Sequence, residues 1–175
     1  EGKEVLDAGC GVGAFSEPLV AANTVYGVDF SVKSLEFAAQ RGLKTVQGDL
    51  TALPFPDGKF DLVLCIGVIQ LIPSYQRVIE ELARVTKPEG TVLIQTLHRG
   101  SIQRKLVNLY EQNKKFDKMY GMDELEKVYR ELGLGRIEFL KMYHPFSFVR
   151  TSGETGNLTD LFCTTFAIKG SKRIG

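Results

Sequence analysis

Short apolar runs alternate with amphipathic stretches through the first half of the chain. Glu4–Asp7 predicts a short strand that runs into three glycines, Gly9, Gly11 and Gly13. Ala14–Ala22 then puts Phe15, Leu19 and Ala22 on one helical face. Val25–Val28 reads as a second strand, ending at Asp29. Ser31 suits the N-cap of a helix through Arg41, and Gly42 stands where a C′ glycine belongs. Leu43–Gln47 is a third strand, followed by a turn-rich loop holding Pro54, Pro56 and Asp57-Gly58. Phe60–Cys65 is a fourth strand, rich enough in apolar residues to be covered on both faces. Ser74 suits the cap of a helix to Val85, Pro88 and Gly90 make a turn, and Thr91–Thr96 is a fifth strand. Strands alternating with helices in this way predict an α/β fold on a mostly parallel sheet.

After His98 the alternation breaks. Arg99–Lys118 holds six basic residues and two acids. Ile102, Leu106 and Leu109 fall at helical spacing, so part of this stretch is expected to be an amphipathic helix. Met122–Leu132 is a further helix closed by Gly133. Phe139–Val149 and Leu161–Lys169 are two late strands joined only by the polar connector Thr151–Thr159, which predicts an antiparallel pair.

At 175 residues the chain is expected to form a single domain, 1–175, with a core that needs neither disulfides nor metal. The abrupt opening at Glu1, just before a core strand, leads to the expectation that an N-terminal cap segment is missing. A net charge of +1 argues against a nucleic-acid partner bound through bulk charge. The longest wholly apolar run, Leu62 to Ile69, is too short to span a bilayer, so no membrane span is expected. Cys10, Cys65 and Cys163 are widely spaced and odd in number, which suggests no disulfide framework, no metal site and a cytoplasmic location.

The candidate chemistry begins at Val5-Leu6-Asp7-Ala8-Gly9-Cys10-Gly11-Val12-Gly13. A strand feeding a glycine turn and then a helix lets a ligand approach the backbone at the carboxyl edge of the sheet. Gly9-Cys10-Gly11-Val12-Gly13-Ala14 also satisfies the dinucleotide-binding pattern, and Asp29 follows at the spacing of its ribose-binding acid. A nicotinamide-dependent oxidoreductase is therefore one reading. Asp7 counts against it, because a carboxylate just before the glycines repels a pyrophosphate and suits a cation. Asp49, in Gln47-Gly48-Asp49-Leu50, adds a second acid at a strand end, although a plain turn residue accounts for it as well.

Further segments follow in order: Tyr26-Gly27-Val28-Asp29, Gly48-Asp49-Leu50, Leu53-Pro54-Phe55, Phe60-Asp61-Leu62-Val63, Leu82-Ala83-Arg84-Val85 and Lys87-Pro88-Glu89-Gly90. Over Glu1 to Leu97 the chain thereby resembles the class I S-adenosylmethionine-dependent methyltransferases, of the small-molecule, methyltransferase domain 11-like type. The resemblance implies a doubly wound, mostly parallel, seven-stranded Rossmann-like sheet with strand 7 antiparallel beside strand 5. It implies S-adenosyl-L-methionine as cofactor, S-adenosyl-L-homocysteine as product, and methyl transfer to a small-molecule acceptor by in-line displacement. By the same resemblance Gly9 and Gly11 would let the loop backbone, with Ala8 and Cys10, pass under the methionine part of the cofactor, and Asp7 would hold the region of its amino group electrostatically. Asp29 would accept from the ribose hydroxyls and Phe30 would lie against the adenine. Asp49 and Leu50 would meet the adenine edge, and the Cys65 carbonyl would meet the cofactor's amino group.

Many relatives carry a Glu-His pair after the fourth strand, where this chain has Gln70-Leu71. Gln70 can still hydrogen-bond cofactor or acceptor. His98, after the fifth strand, is then the candidate catalytic base, with a surface-loop histidine as the alternative. His144, beside Tyr143, Pro145 and Phe146, reads as a packed or edge histidine. The basic stretch falls where relatives carry a substrate lid (residues 99–121), and an acidic or lipid-like acceptor would suit its basic and apolar sides. A non-catalytic cofactor-binding module of the same fold is the remaining alternative.

Overall fold

A computed structural model of the chain describes residues 1–99, 101, 119–143, 147–151 and 163–173. Most of the expected lid, His144 and the connector lie outside the described residues. The elements run β1 (Glu4–Ala8), α1 (Glu17–Val20), β2 (Thr24–Asp29), α2 (Val32–Gln40), β3 (Lys44–Gln47), β4 (Phe60–Ile66), α3 (Tyr75–Val85), β5 (Thr86–Leu97), α4 (Met122–Glu131), β6 (Leu134–Tyr143), β7 (Ser147–Thr151) and β8 (Cys163–Lys172).

The strands form one sheet in the order β3-β2-β1-β4-β5-β8-β6-β7. β3, β2, β1, β4 and β5 pair in parallel, and β8 runs antiparallel between β5 and β6. The doubly wound sheet with its reversed late strand is thus as expected. The expected sixth strand, Phe139–Val149, instead divides: β6 ends at Tyr143 and β7 folds back against it, Tyr143 opposite Ser147. Eight strands result, with Pro145 in the segment between β6 and β7. The expected helix at Ala14–Ala22 shortens to one turn.

β1 is central and buried on both faces. One face, carrying Leu6, Val28, Val63, Ile94 and Phe166, packs under α3 and α4; on the other, Val5 and Val25, with Cys10 and Leu43, meet Leu35 and Ala38 of α2. α3 turns Val78, Ile79, Leu82 and Val85 inward at helical spacing. Successive connections wind outward from β1 on one side and from β4 on the other. The chain therefore leaves a crevice between the carboxyl ends of β1 and β4, where the two crossovers part.

Candidate functional site

β1 ends in the glycine loop. The N–H groups of Gly9 and Cys10 both donate to the Val28 carbonyl, at 2.7 and 3.0 Å, which draws the loop toward β2. Gly9 has φ +81°, and a Cβ there would lie 2.5 Å from Val68 Cγ2. Loop and post-β4 turn thus touch at a residue without a side chain. Gly11 also has a positive φ, +52°, but a Cβ there would meet nothing within 4 Å. The space over Gly11 is open.

Three carboxylates stand at three neighbouring strand ends. Asp7 is 2% exposed, and the Ser16 hydroxyl donates to its Oδ2 at 2.6 Å. Burial raises its carboxyl above the usual range, the Ser16 hydrogen bond opposes this, and the charge of Asp29 adds to the rise. Asp29 is used by the backbone on both oxygens: Gly11 N–H donates to Oδ2 at 2.8 Å and Ser31 N–H to Oδ1 at 2.9 Å. It therefore fastens the glycine loop to the start of α2, where Ser31 Oγ caps the helix by accepting from Ser34 N–H. Asp49 is exposed; its Oδ1 accepts from Thr51 N–H at 2.8 Å, which holds its carboxyl below the usual range. The Gly48 N–H donates to the Asp29 carbonyl, joining the second and third acids through backbone. Leu50 is buried, whereas Phe30 is 84% exposed beside Asp29.

Cys10 and Cys65 are packing residues with inert thiols. A Cβ on Gly27 would lie 2.7 Å from Cys10 Sγ, so the thiol fills the space over that glycine. Burial first, then the charges of Asp7 and Asp29, pushes the Cys10 thiol up to about 12. Burial and the charge of Asp7 do the same to Cys65, in the middle of the sheet. Among the described residues no group of three or more His, Cys, Asp or Glu side chains is arranged to hold a metal ion.

A second group of residues lies at the ends of β4 and β5. Gln70 sits in a single 3-10 turn, Ile69–Leu71, and its Oε1 accepts from the buried Thr96 hydroxyl at 2.9 Å. That bond fixes which end of the amide is the acceptor and turns Nε2 toward Gly67. His98 is buried with its ring edge-on to Phe166, centroids 5.6 Å apart. It forms a bridge with Tyr120, so that the two described ends of the 99–121 stretch meet here. Tyr120 O–H donates to the Ile69 carbonyl, Tyr75 O–H donates to Glu124, and Arg99 pairs with Glu124. This latch of Tyr75, Arg99, Tyr120 and Glu124 was not foreseen from the sequence. Its members are far apart in the chain and carry no local signature.

The structure therefore brings Asp7, Ala8, Gly9, Cys10, Gly11, Asp29, Phe30, Asp49 and Leu50 to one carboxyl edge. Cys65, Gln70 and His98 lie across the Gly9–Val68 contact from them. A cleft of about 480 Å³ lined by Lys3, Asp61, Leu62, Pro88, Glu89 and Lys169 opens elsewhere, near the starts of β1 and β4. It shares no residue with the carboxyl-edge groups. The chemistry of the acids, rather than the size of that cleft, marks the site. No helix of the described residues is long and apolar enough to cross a membrane.

Comparison with known proteins follows the same residues. The methyltransferase domain family matches residues 6–94, from β1 through most of β5. A ubiquinone biosynthesis O-methyltransferase of Bordetella bronchiseptica is 38% identical over 107 residues, 57% of this chain and 44% of that protein. A demethylmenaquinone methyltransferase of a Geobacillus species is 29% identical over 171 residues, 79% of this chain and 73% of that protein. Among solved structures, a SAM-dependent methyltransferase of Thermotoga maritima, a possible histamine N-methyltransferase, superposes with a TM-score of 0.81 at 20% identity, covering 99% of this chain and 83% of that one. The chain spans less than half the length of the Bordetella protein.

Proposed function

The chain belongs to the methyltransferase domain family, and from that premise we propose that it binds S-adenosylmethionine over the ends of β1, β2 and β3 and methylates a small molecule at the ends of β4 and β5. The observation that carries this reading is the Asp29 carboxylate. Each of its oxygens already accepts one backbone N–H, at 2.8 and 2.9 Å, and keeps a second lone pair for a ribose hydroxyl. The residues present fit the cofactor on two further counts. Open space over Gly11 admits a ligand against bare backbone. The Asp7 carboxylate, disfavoured by burial, gains from a nearby cation and would repel a pyrophosphate.

In this reading Gly9, Cys10 and Gly11 support the methionine part with Ala8 and Asp7 beneath. The exposed Phe30 ring lies against the adenine, and Asp49 with the Leu50 backbone meets its amino edge. The Cys65 carbonyl and Gln70 flank the amino-acid end. The activated methyl comes with the cofactor, so the protein's own work is placement. In-line displacement asks that the acceptor atom be held about 3 Å from the methyl and aligned with the bond that breaks.

The names of the two curated relatives, one for ubiquinone biosynthesis and one for demethylmenaquinone, favour an aromatic, quinone-like acceptor. Tyr75, half-buried and stacked at a tilt on Tyr120 beyond the end of β5, supplies a surface for such a ring. An oxygen acceptor has a proton to lose, and His98 is the base we assign to it. Residues 99–121 form the cover of the acceptor in this account, with an acidic or lipid-like acceptor suited to its basic and apolar sides. A cytoplasmic setting agrees with Cys10 and Cys65 being free thiols.

Isothermal titration with S-adenosylmethionine, S-adenosylhomocysteine and NAD tests the binding half. Heat with the first two and none with NAD is expected; heat with NAD alone would make the chain an oxidoreductase. Methyl release from labelled cofactor across hydroxylated aromatic acceptors tests the rest. Tight cofactor binding with no methyl release from any acceptor would favour a non-catalytic module.

A further inference from the structure

The loop between β3 and β4 has no helix of its own, so its backbone polar groups need partners from elsewhere. α3 provides them. Glu81, 3% exposed, accepts from Leu53 N–H at 2.8 Å. Arg84 donates to the Leu53 carbonyl at 3.1 Å, to the Phe55 carbonyl at 2.9 Å and to Asp57 at 2.7 Å. Both backbone polar groups of Leu53 are thereby gripped by one acid and one base, a helical turn apart. The two side chains also hold each other through two hydrogen bonds, at 2.8 and 2.7 Å. That pairing keeps the buried Glu81 carboxyl below its usual range, so the grip stays charged. Arg77 adds a bond to the Thr51 carbonyl.

This grip lies one turn downstream of Asp49, whose Oδ1 accepts from Thr51 N–H and whose carbonyl accepts from Ala52 N–H. On its other side Asp49 is tied through Gly48 to Asp29. The exposed acid therefore stands on a short arc of backbone fastened at both ends, with α3 as the outer fastening. We propose that Glu81 and Arg84 are positioning residues for the adenine edge of the cofactor site: they set where Asp49 and the Leu50 backbone stand, and hence the preference for adenine over a base lacking its amino group. The proposal rests on the reading of Asp49 given above.

The test compares S-adenosylhomocysteine with S-inosylhomocysteine, in which a carbonyl replaces the adenine amino group. Dissociation constants are measured for the wild type, Glu81→Gln and Arg84→Met, each checked by thermal melting for a cooperative fold. The wild type is expected to favour the adenosyl compound by about tenfold or more, the loss of one hydrogen bond to a charged acceptor. In both variants that ratio is expected to fall to about threefold or less. A clamp that only stabilised the fold would weaken both ligands alike and leave the ratio unchanged, which overturns the proposal. Amide exchange on the wild type supplies a reading free of any variant's folding. The Leu53 amide should exchange more slowly with S-adenosylhomocysteine than with S-inosylhomocysteine; equal protection by both would also overturn it. Equal affinity of the wild type for the two compounds sinks this proposal alone, whereas binding of neither sinks the methyltransferase reading beneath it.

Discussion

Replacing Asp29 with asparagine separates two roles that one carboxylate holds at once. In the free protein both oxygens accept backbone N–H groups, from Gly11 at 2.8 Å and Ser31 at 2.9 Å. An asparagine offers one oxygen and one NH2, so one of those donors must face another donor. Losing a hydrogen bond to a charged group is worth about 1.5–3 kcal/mol. Asp29 is only partly buried, so water can replace part of what is lost and a cost of about 1–2 kcal/mol follows. With a urea slope of about 1–3 kcal/mol/M, the unfolding midpoint should fall by roughly 0.3–2 M. Ligand binding should suffer separately. A ribose hydroxyl loses a charged acceptor and the loop that carries Gly11 loosens, so S-adenosylhomocysteine should bind about 10–100-fold more weakly. Both quantities come from one protein preparation, by urea titration followed by fluorescence or circular dichroism, and by calorimetric titration. An unchanged midpoint would mean the two backbone bonds carry no net energy. A lowered midpoint with wild-type affinity would mean that Asp29 is a structural staple and nothing else, and the ribose assignment would have to go.

Four further outcomes follow from the geometry. Gly9→Ala places a methyl 2.5 Å from Val68 Cγ2 at φ +81° and should cost about 2 kcal/mol or more; adding Val68→Ala should recover part of it, and additive losses in denaturation would show that the contact is not the cause. For Asp7, burial places the folded pKa above the unfolded one, so its penalty is fully present at neutral pH and fades as pH falls through the raised value. Asp7→Asn should thus be at least as stable as the wild type at pH 7, with a gain that shrinks on acidification, while weakening S-adenosylmethionine more than uncharged-sulfur S-adenosylhomocysteine; a loss of stability equal at pH 7 and pH 5 would contradict this. Cys10 and Cys65, both held up to about 12, should resist iodoacetamide in the native protein at pH 8 and react once it is unfolded, as peptide mass mapping would reveal. His98→Gln should lower turnover on an oxygen acceptor by about 100-fold or more with cofactor affinity near wild type, and full turnover would clear His98 of the base role.

Much of the fold was legible because its signals are local. Ser31 caps α2 through Ser34 N–H, and Gly42 follows the helix at φ +88°. The five parallel strands fall where short apolar runs meet turn residues. The reading fails in two places. Phe139–Val149 reads as one strand although Pro145 interrupts its β pattern, and Ser147–Thr151 pairs back against β6 as a separate strand. The stretch after Gly13 has helical spacing, yet only Glu17–Val20 forms a regular turn. That short helix is held by Ser16 turning inward to Asp7 and by Glu17 paired with Arg41.

The site divides along the same line. Acids at the ends of consecutive strands can be seen in a sequence, because strand, turn and acid are contiguous. What those acids do to one another cannot. The charge on Asp29 helps raise the carboxyl of Asp7, while Asp29 itself is balanced by the N–H groups of Gly11 and Ser31. The loop amides that neutralise one acid leave the neighbouring, buried one with only the Ser16 hydroxyl. A folded protein that keeps a carboxylate under such conditions gives up stability at neutral pH, unless a ligand returns it. A cation bound over Gly11 would do so by favouring the ionised form of Asp7, and binding would then be coupled to proton release from that residue. The coupling has a definite sign: affinity for a positively charged ligand should fall as pH is lowered through the raised pKa of Asp7, and Asp7→Asn should abolish that dependence. Calorimetry of S-adenosylmethionine binding in buffers of different ionisation enthalpy would count the proton released, and a count of zero throughout the acid range would remove Asp7 from the binding site.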